Sequence, residues 1–308
     1  SMYPKVFAAA ARRVAWPPNG NQPGSDSQFA SAQLLDEWSI AAAILNPLVA
    51  VSALHNRDLA NVLMRAVNEW TANDWCAADR RWRGSIVVNA RDPEASAREI
   101  EHWAKDKRFV QVLLLVRSHA PYGQREFRPI FRAAAKSGLP VGIHFGGGGD
   151  VPITACGWPS YYIEDHTAMS QAFETQLVSL VCEGAFSEMP ELRVVLIEGG
   201  FAWLPALLWR LDKNWRGLRS EVPWLTESPG DIVRRQVRAT TQPMEEPGNP
   251  EHLLQLLDMI GCDEFLLFST DYPHWDFDAP DRALPKQIPD ALRHKIRVDN
   301  AAQLYGLA

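Results

Sequence analysis

Three short stretches of the 308-residue chain set a titratable side chain at or just beyond the end of a run of apolar residues. In Val141-Gly142-Ile143-His144-Phe145-Gly146 the run ends in an imidazole followed by glycine. A histidine so placed serves as a metal ligand or a general base. The plain alternative is a core histidine hydrogen-bonded to a neighbour. In Val194-Val195-Leu196-Ile197-Glu198-Gly199-Gly200-Phe201 a carboxylate follows the apolar run. Such a group is costly to bury unpaired, so it calls for a metal, a cation or a raised pKa. A salt bridge, for instance to Arg117, would answer the same need. In Phe268-Ser269-Thr270-Asp271-Tyr272-Pro273-His274-Trp275-Asp276 the aspartate at 271 can bind a metal and take a proton from metal-bound water. The same Asp-x-Pro spacing also makes an ordinary turn.

Other side chains stand near these three. Arg117 is placed to pair with a substrate carboxylate, bidentately where geometry allows. His119, His166 and His274 are candidates for substrate contact, proton transfer or a second metal. Trp158, Trp203 and Trp275 lie beside the candidate site residues and can form an apolar or aromatic pocket. His55, His102, His252 and His294 fall in helical or surface segments. The glycines at 146–149 are closed by no Gly-Lys-Ser/Thr, so a flexible lid is the better reading than a phosphate loop. The chain carries no Gly-x-Ser-x-Gly elbow and no His-Glu-x-x-His, which argues against serine hydrolases and zincins.

The elements that must hold these residues follow a rhythm. Residues 1–33 read as an irregular loop rich in Pro-Gly turn chemistry. After it, short Val/Ile/Leu runs alternate with longer amphipathic stretches. The strand-like runs are Ala41–Leu48, Ser85–Asn89, Val110–Val116, Pro140–Phe145, Arg193–Ile197, Val237–Thr241 and Phe265–Ser269, apolar on both parities as in strands covered on both faces. Helices are expected at Asp58–Asn73, Pro93–Lys107, Phe127–Ser137, Thr167–Phe186, Leu204–Leu218 and Pro250–Ile260. Alternation of this kind predicts an α/β fold with a parallel sheet. Asn89, Arg117, His144, Glu198, Thr241 and Asp271 close strand after strand. That is the habit of a (β/α)8 TIM barrel, whereas an open sheet gathers its site at one switch point. A barrel needs one more strand than these seven, and the first strand is expected to be absent from the chain as given. Residues 1–308 are read as one domain.

Composition bounds the function. Lys plus Arg number 31 against 37 Asp plus Glu, a net charge of −6, which disfavours nucleic acid and anionic membranes as partners. No segment is apolar for long enough to span a bilayer, and no signal peptide is visible. Cys76, Cys156, Cys182 and Cys262 are scattered without a Cys-x-x-Cys and read as reduced, mostly buried thiols of a cytoplasmic protein. Most of the 12 tryptophans, including Trp209, Trp215 and Trp224, read as core or subunit interface.

The order strand-His144, strand-Glu198-Gly-Gly-Phe-Ala-Trp-Leu-Pro and Ser-Thr-Asp271-Tyr-Pro-His-Trp-Asp resembles the amidohydrolase-related family. That family includes aminocarboxymuconate-semialdehyde decarboxylase and γ-resorcylate decarboxylase. The resemblance runs from about residue 40 to the closing Asp299-Asn300-Ala301-Ala302-Gln303-Leu304-Tyr305. It implies a TIM barrel with a divalent metal held by a His-x-His pair on the first strand, a histidine on the fifth and an aspartate on the eighth. His144 and Asp271 match the last two. No His-x-His occurs in the chain; the pair belongs on the strand found missing. Glu198 stands where the family's decarboxylases carry a histidine, which turns the expectation toward hydrolysis. A glutamate there can also bridge a second ion, and the set then resembles the family's dinuclear iron or manganese oxygenases.

The first expectation is therefore a metal-dependent hydrolase of a small carboxylated or aromatic molecule. His144, Asp271 and Glu198 hold the ion, with zinc named first, manganese or iron next, and room for two ions. Asp271, Glu198, His274 and His166 carry the catalysis; Arg117, His119, Trp158 and Trp275 contact substrate. The second expectation is the oxygenase. The third is a degenerate, non-catalytic barrel paired with an active paralogue. A homodimer or higher oligomer is expected from the resemblance.

Overall fold

The computed structural model of the chain describes residues 10–147, 152, 154 and 156–307. Seven parallel strands form one sheet: β1 (Ala43–Leu45), β2 (Trp82–Val87), β3 (Phe109–Arg117), β4 (Val141–Gly147), β5 (Val194–Ile197), β6 (Val237–Thr240) and β7 (Leu266–Leu267). Their order in space is their order in sequence. An open doubly wound sheet reverses its order at a switch point; this sheet never does. It fills seven consecutive positions of a barrel, and among the described residues no strand stands between β7 and β1. The expected α/β barrel, one strand short among the described residues, is the architecture found.

Strands β5 and β6 are buried along their whole length, and β3 nearly so. They are covered on both faces, which is why β5 and most of β3 run apolar; β6 buries Arg238 and Thr240 among its apolar residues. The helices are α1 (Ser27–Ala30), α2 (Arg57–Trp70), α3 (Pro93–Trp103), α4 (Arg128–Lys136), α5 (Tyr162–Ala168), α6 (Ser170–Cys182), α7 (Ala185–Glu188), α8 (Leu204–Gly217), α9 (Pro229–Gln236), α10 (Glu251–Ile260), α11 (Asp290–His294) and α12 (Asn300–Tyr305). Local chemistry sets several starts. Asp92 accepts from Ala95 N at 3.1 Å before Pro93, and Ser228 accepts from Asp231 N at 3.2 Å before Pro229, each a cap that satisfies an orphan donor.

Four sequence expectations need correction. The stretch Thr167–Phe186 is not one helix but α5, α6 and α7. Gly184 ends α6 in left-handed backbone (φ +76°), and a Cβ there would come within 2.5 Å of Trp224, so only glycine fits. The N-terminal region is not wholly irregular, since Asp26 caps α1 through Phe29 N. Of the four thiols, all free, only Cys76 is buried and Cys156 is exposed. Trp209 and Trp224 are exposed and so not core, which leaves the subunit-interface half of that expectation for them. The glycines at 148 and 149, read as part of a lid, lie outside the described residues.

The C-terminal end of the chain returns to the sheet. Leu304 and Tyr305 of α12 pack on Val195, Ile197 and Leu267. The Tyr305 hydroxyl donates to Gln111 Oε1 at 2.7 Å, and Gln111 in turn donates to Ser85 and Asn46.

Candidate functional site

The C-terminal ends of four strands supply the site. Arg117 ends β3, His144 lies in β4, Glu198 follows β5 directly, and Asp271 follows β7. The loop after β7 adds His274, Trp275 and Asp276; α5 adds Tyr162, Asp165 and His166.

His144 is buried, and its Nδ1 lies 2.8 Å from the Phe145 carbonyl oxygen. A carbonyl only accepts, so Nδ1 carries the proton and Nε2 keeps its lone pair. Burial pushes its pKa down to about 4, aided by the charge of His274. The imidazole is therefore neutral near pH 7, as a ligand must be.

That Nε2 faces Glu198 Oε2 at 3.4 Å, and Glu198 Oε2, buried, has no hydrogen-bond partner. Two lone-pair atoms looking at each other need a proton or a cation between them. Burial, with the neighbouring charges of Asp271 and Asp276, pushes the Glu198 carboxyl well above the usual carboxylate range. Its backbone is left-handed (φ +62°), and its N–H is held by Thr240 Oγ1 at 3.0 Å.

Asp271 also has left-handed backbone (φ +56°). Both its carboxylate oxygens lie 2.9 Å from His274 Nδ1. Burial raises its pKa to about 6 against the hydrogen bond from His274. Burial works against the His274 charge, but the bonds to Asp271 win and raise its pKa. Asp276 Oδ2 lies 3.3 Å from His166 Nε2 and accepts from Gln242 Nε2 at 3.0 Å. Burial opposes its charge too, yet the His166 contact keeps its carboxyl below the usual range.

Two clusters of possible ligand atoms result. His144, Glu198 and Asp271 offer donors that all lie within 4.8 Å of one another, and so do His166, Glu198 and Asp276. Bonds of about 2.1 Å place tetrahedral neighbours about 3.4 Å apart, which is the His144–Glu198 separation. One imidazole and two carboxylates suit zinc, manganese or iron alike, so the residues present fit a divalent ion. Beside them the His166 ring lies 5.2 Å from Phe145, 5.4 Å from Tyr162 and 5.7 Å from Trp275, centroid to centroid. Trp275 Nε1 donates to the Tyr162 hydroxyl at 3.3 Å.

Of the residues singled out in the sequence, His144, Glu198, Asp271, His274, His166 and Trp275 come together. Arg117 does not pair with Glu198: its buried guanidinium donates to Asp165 instead, and the neighbour of Glu198 is the neutral imidazole of His144. His119 is not brought to the site. Its Nε2 lies 3.5 Å from Glu126, and its ring is 5.3 Å from Phe127. Trp158 is exposed and takes part in none of these contacts. Trp203 reaches back to hold the turn after Glu198, donating to Gly199 O at 3.0 Å. Phe145, Tyr162, Asp165 and Gln242 escaped the sequence reading. The spacing of Tyr162, Asp165 and His166, i, i+3 and i+4 on one helix, was the available signal for two of them.

Comparison with known proteins gives a consistent result. A family model described as amidohydrolase matches residues 5–307. The chain is 26% identical over 296 residues to a γ-resorcylate decarboxylase of Polaromonas sp. (strain JS666 / ATCC BAA-500), covering 92% of this chain and 88% of that one. It is 27% identical over 306 residues to a γ-resorcylate decarboxylase of Rhodococcus jostii (strain RHA1), with the same coverage. Among solved structures it is similar to 2,6-dihydroxybenzoate decarboxylase from Rhizobium, with a TM-score of 0.74 and 25% identity over 92% of this chain and 89% of that one. It is also similar to dihydroxybenzoic acid decarboxylase from Polaromonas sp. JS666 with bound manganese and the inhibitor 2-nitroresorcinol. There the TM-score is 0.73 at 26% identity, over 92% of this chain and 86% of that one.

Proposed function

Because the chain belongs to the amidohydrolase family, we propose that it is a metal-dependent enzyme that removes carbon dioxide from a small aromatic carboxylate. The observation that carries this reading is the facing pair of His144 Nε2 and Glu198 Oε2, with Asp271 completing the donor set, beside a wall of aromatic rings. The decarboxylase names of its relatives support it.

His144, Glu198 and Asp271 would hold a divalent ion, which would supply positive charge toward substrate oxygens. Phe145, Tyr162 and Trp275 bind the ring through their faces and edges and keep water away from it. As the bond between ring and carboxylate breaks, its electron pair stays on the ring carbon and carbon dioxide leaves. That carbon must then take a proton. His274, its pKa raised and its ring oriented by Asp271, is the donor. His166 brings a second imidazole toward Glu198 and Asp276. It offsets the absence of a histidine at position 198, which had turned the sequence expectation toward hydrolysis.

Hydrolysis is the second reading, favoured by Asp271, whose carboxylate lies beside His144 and Glu198 and can accept a proton from water when ionised. Manganese is the ion to load first, ahead of the zinc expected from sequence, since a relative's structure holds it. His166, Glu198 and Asp276 would be the residues to hold a second ion; two bound ions with iron among them would favour the oxygenase. For localisation the structure adds only that no helix among the described residues is long and apolar enough to cross a membrane. Leu59, Val62, Leu63 and Trp70 are exposed on α2, which supports the expected pairing of copies through helices; light scattering measures it.

The test loads the chain with manganese and offers hydroxylated benzoates, 2,6-dihydroxybenzoate among them. Metal-dependent carbon dioxide release, lost in His144→Asn, is the expected result. A loaded chain that releases none but cleaves an ester, amide or lactone would replace this reading with hydrolysis. A chain that binds no divalent ion would end both.

A further inference from the structure

We infer that Arg117 and Asp165 are positioning residues, whose buried ion pair sets α5 against the sheet so that His166, the next residue, faces Glu198 and Asp276. The inference rests on the reading above that His166 borders the substrate.

The Arg117 and Asp165 side chains are only 8% and 4% exposed. The guanidinium comes from the end of β3 and the carboxylate from α5, so the pair ties helix to sheet. The sheet end of the tie is itself fixed. Arg117 pairs in register with Gly147 after a bulge in β3. Gly147 has φ +132°, and a Cβ there would lie 2.6 Å from the Cβ and carbonyl of Arg117. Gln176 of α6 donates to Val116 O at 2.8 Å and to Ser118 Oγ at 2.9 Å, bracketing Arg117 along the chain.

The helix end needs such a tie. With seven residues, α5 is too short to hold itself by backbone bonds alone. Glu164 caps its start by accepting from Ser160 N and Tyr161 N, but that contact is local and exposed and gives the helix no position on the sheet. On the other side of Asp165, His166 meets Asp276 at 3.3 Å and stacks near Phe145 and Trp275. Asp165 engages Nη2 of the guanidinium, the buried Nε having no hydrogen-bond partner, and through that bond Arg117 acts on α5 rather than on a substrate carboxylate.

The test is a double-mutant cycle on the manganese-loaded chain with the carboxylate that it turns over, joined to hydrogen exchange of α5. Displacing a site group by about 1 Å costs up to about a hundredfold in rate. Arg117→Met and Asp165→Asn should therefore each lower kcat about tenfold to a hundredfold, with KM changed less than about threefold. In a His166→Ala background, Arg117→Met should change nothing further. Amides of 162–168 should exchange at least about tenfold faster in Arg117→Met, with β4 and β5 unchanged. The double variant Arg117→Met/Asp165→Leu leaves no unpaired buried charge, so it keeps the fold and should stay slow.

Several outcomes overturn the inference. A KM raised in Arg117→Met but not in Asp165→Asn, with losses that multiply with His166→Ala, makes Arg117 a substrate clamp and leaves the proposed function standing. Native kcat in the double variant makes the pair purely structural, and unchanged exchange in α5 denies the tie. Full activity in His166→Ala removes both this inference and the role given to His166 above.

Discussion

Glu198 and Asp271 bring their carboxyl groups to the same point from left-handed backbone, at φ +62° and +56°. Among the described non-glycine residues only Ala10 and Ser39 also have positive φ. Such backbone costs about 1–3 kcal/mol per residue and persists where the surroundings over-determine it. Both carboxyls are also buried beside a third, that of Asp276. Strain and like charge thus gather where His144 offers its lone pair.

The first prediction concerns this donor set. His144→Asn and Asp271→Asn should each weaken manganese binding at least about a hundredfold by calorimetry, more than the tenfold to hundredfold typical of groups one step removed from an ion. Chelation should abolish turnover and manganese should restore it. The loaded chain should unfold about 2.7 kcal/mol harder at a hundredfold excess of ion over Kd. Unaltered manganese affinity in both variants would sink the assignment.

Trp275, half exposed against Tyr162 and His166, should act through its ring. Trp275→Ala should raise KM about fivefold to fiftyfold through lost ring contact, while Trp275→Phe stays within about threefold of the native chain. Steady-state kinetics decides. Equal losses in both variants would mean that the indole N–H to Tyr162 matters more than the ring.

A stability prediction comes from Glu99, buried on α3. It accepts from Arg65 Nε at 2.8 Å, Asn68 Nδ2 at 3.1 Å and Trp103 Nε1 at 2.7 Å. Burial pushes its pKa up, but these donors outweigh burial and hold it below the ordinary value. A carboxyl lowered in the folded state stabilises the fold above its unfolded pKa, about 4.3, and loses that contribution as pH falls through the folded value. Glu99→Gln should cost about 1–3 kcal/mol near neutral pH and flatten the acid loss of stability. Urea unfolding of both chains near pH 7 and near pH 4 gives the comparison. An identical acid loss in the variant would show that Glu99 is not its source.

Gln176 should be one of the costliest polar residues to replace. It accepts from Tyr122 N at 2.7 Å and donates to Val116 O at 2.8 Å and Ser118 Oγ at 2.9 Å, all within the core. Gln176→Leu orphans these groups and should destabilise the chain by about 2–4 kcal/mol. Gln176→Glu should be nearly as costly, because a carboxylate cannot donate to Val116 O. A loss under about 1 kcal/mol in both would show that water replaces the side chain.

Much of the site was legible because its residues break a strong pattern. His144 and Glu198 each end a long apolar run, Asp271 follows another after Ser269-Thr270, and a polar group ending a buried strand is conspicuous. All seven strands were found for the same reason. What escaped lies where pattern gives way to packing. Nothing in the sequence assigns Arg117 to Asp165 rather than to Glu198, because the choice depends on how α5 lies on the sheet. The break between α5 and α6 at Met169 has no glycine or proline to announce it. Helix α9 carries a start signal, Ser228 before Pro229, but at eight residues it is too short for a clear apolar period. His119 looked like its neighbours in sequence and points elsewhere, since the loop after β3 turns it toward Glu126 and Phe127.

The left-handed backbone at Glu198 and Asp271 has an evolutionary side. Asparagine is among the few residues other than glycine that tolerate this conformation easily, and it carries no charge to repel its neighbours. An exchange to asparagine at either position would relax the metal-free chain while removing a donor. Drift toward thermal robustness would therefore erode the site, so carboxylates persist at 198 and 271 only while selection acts on what they hold. In a library screened for survival of heat alone, these two positions should be among the first to lose their native residues.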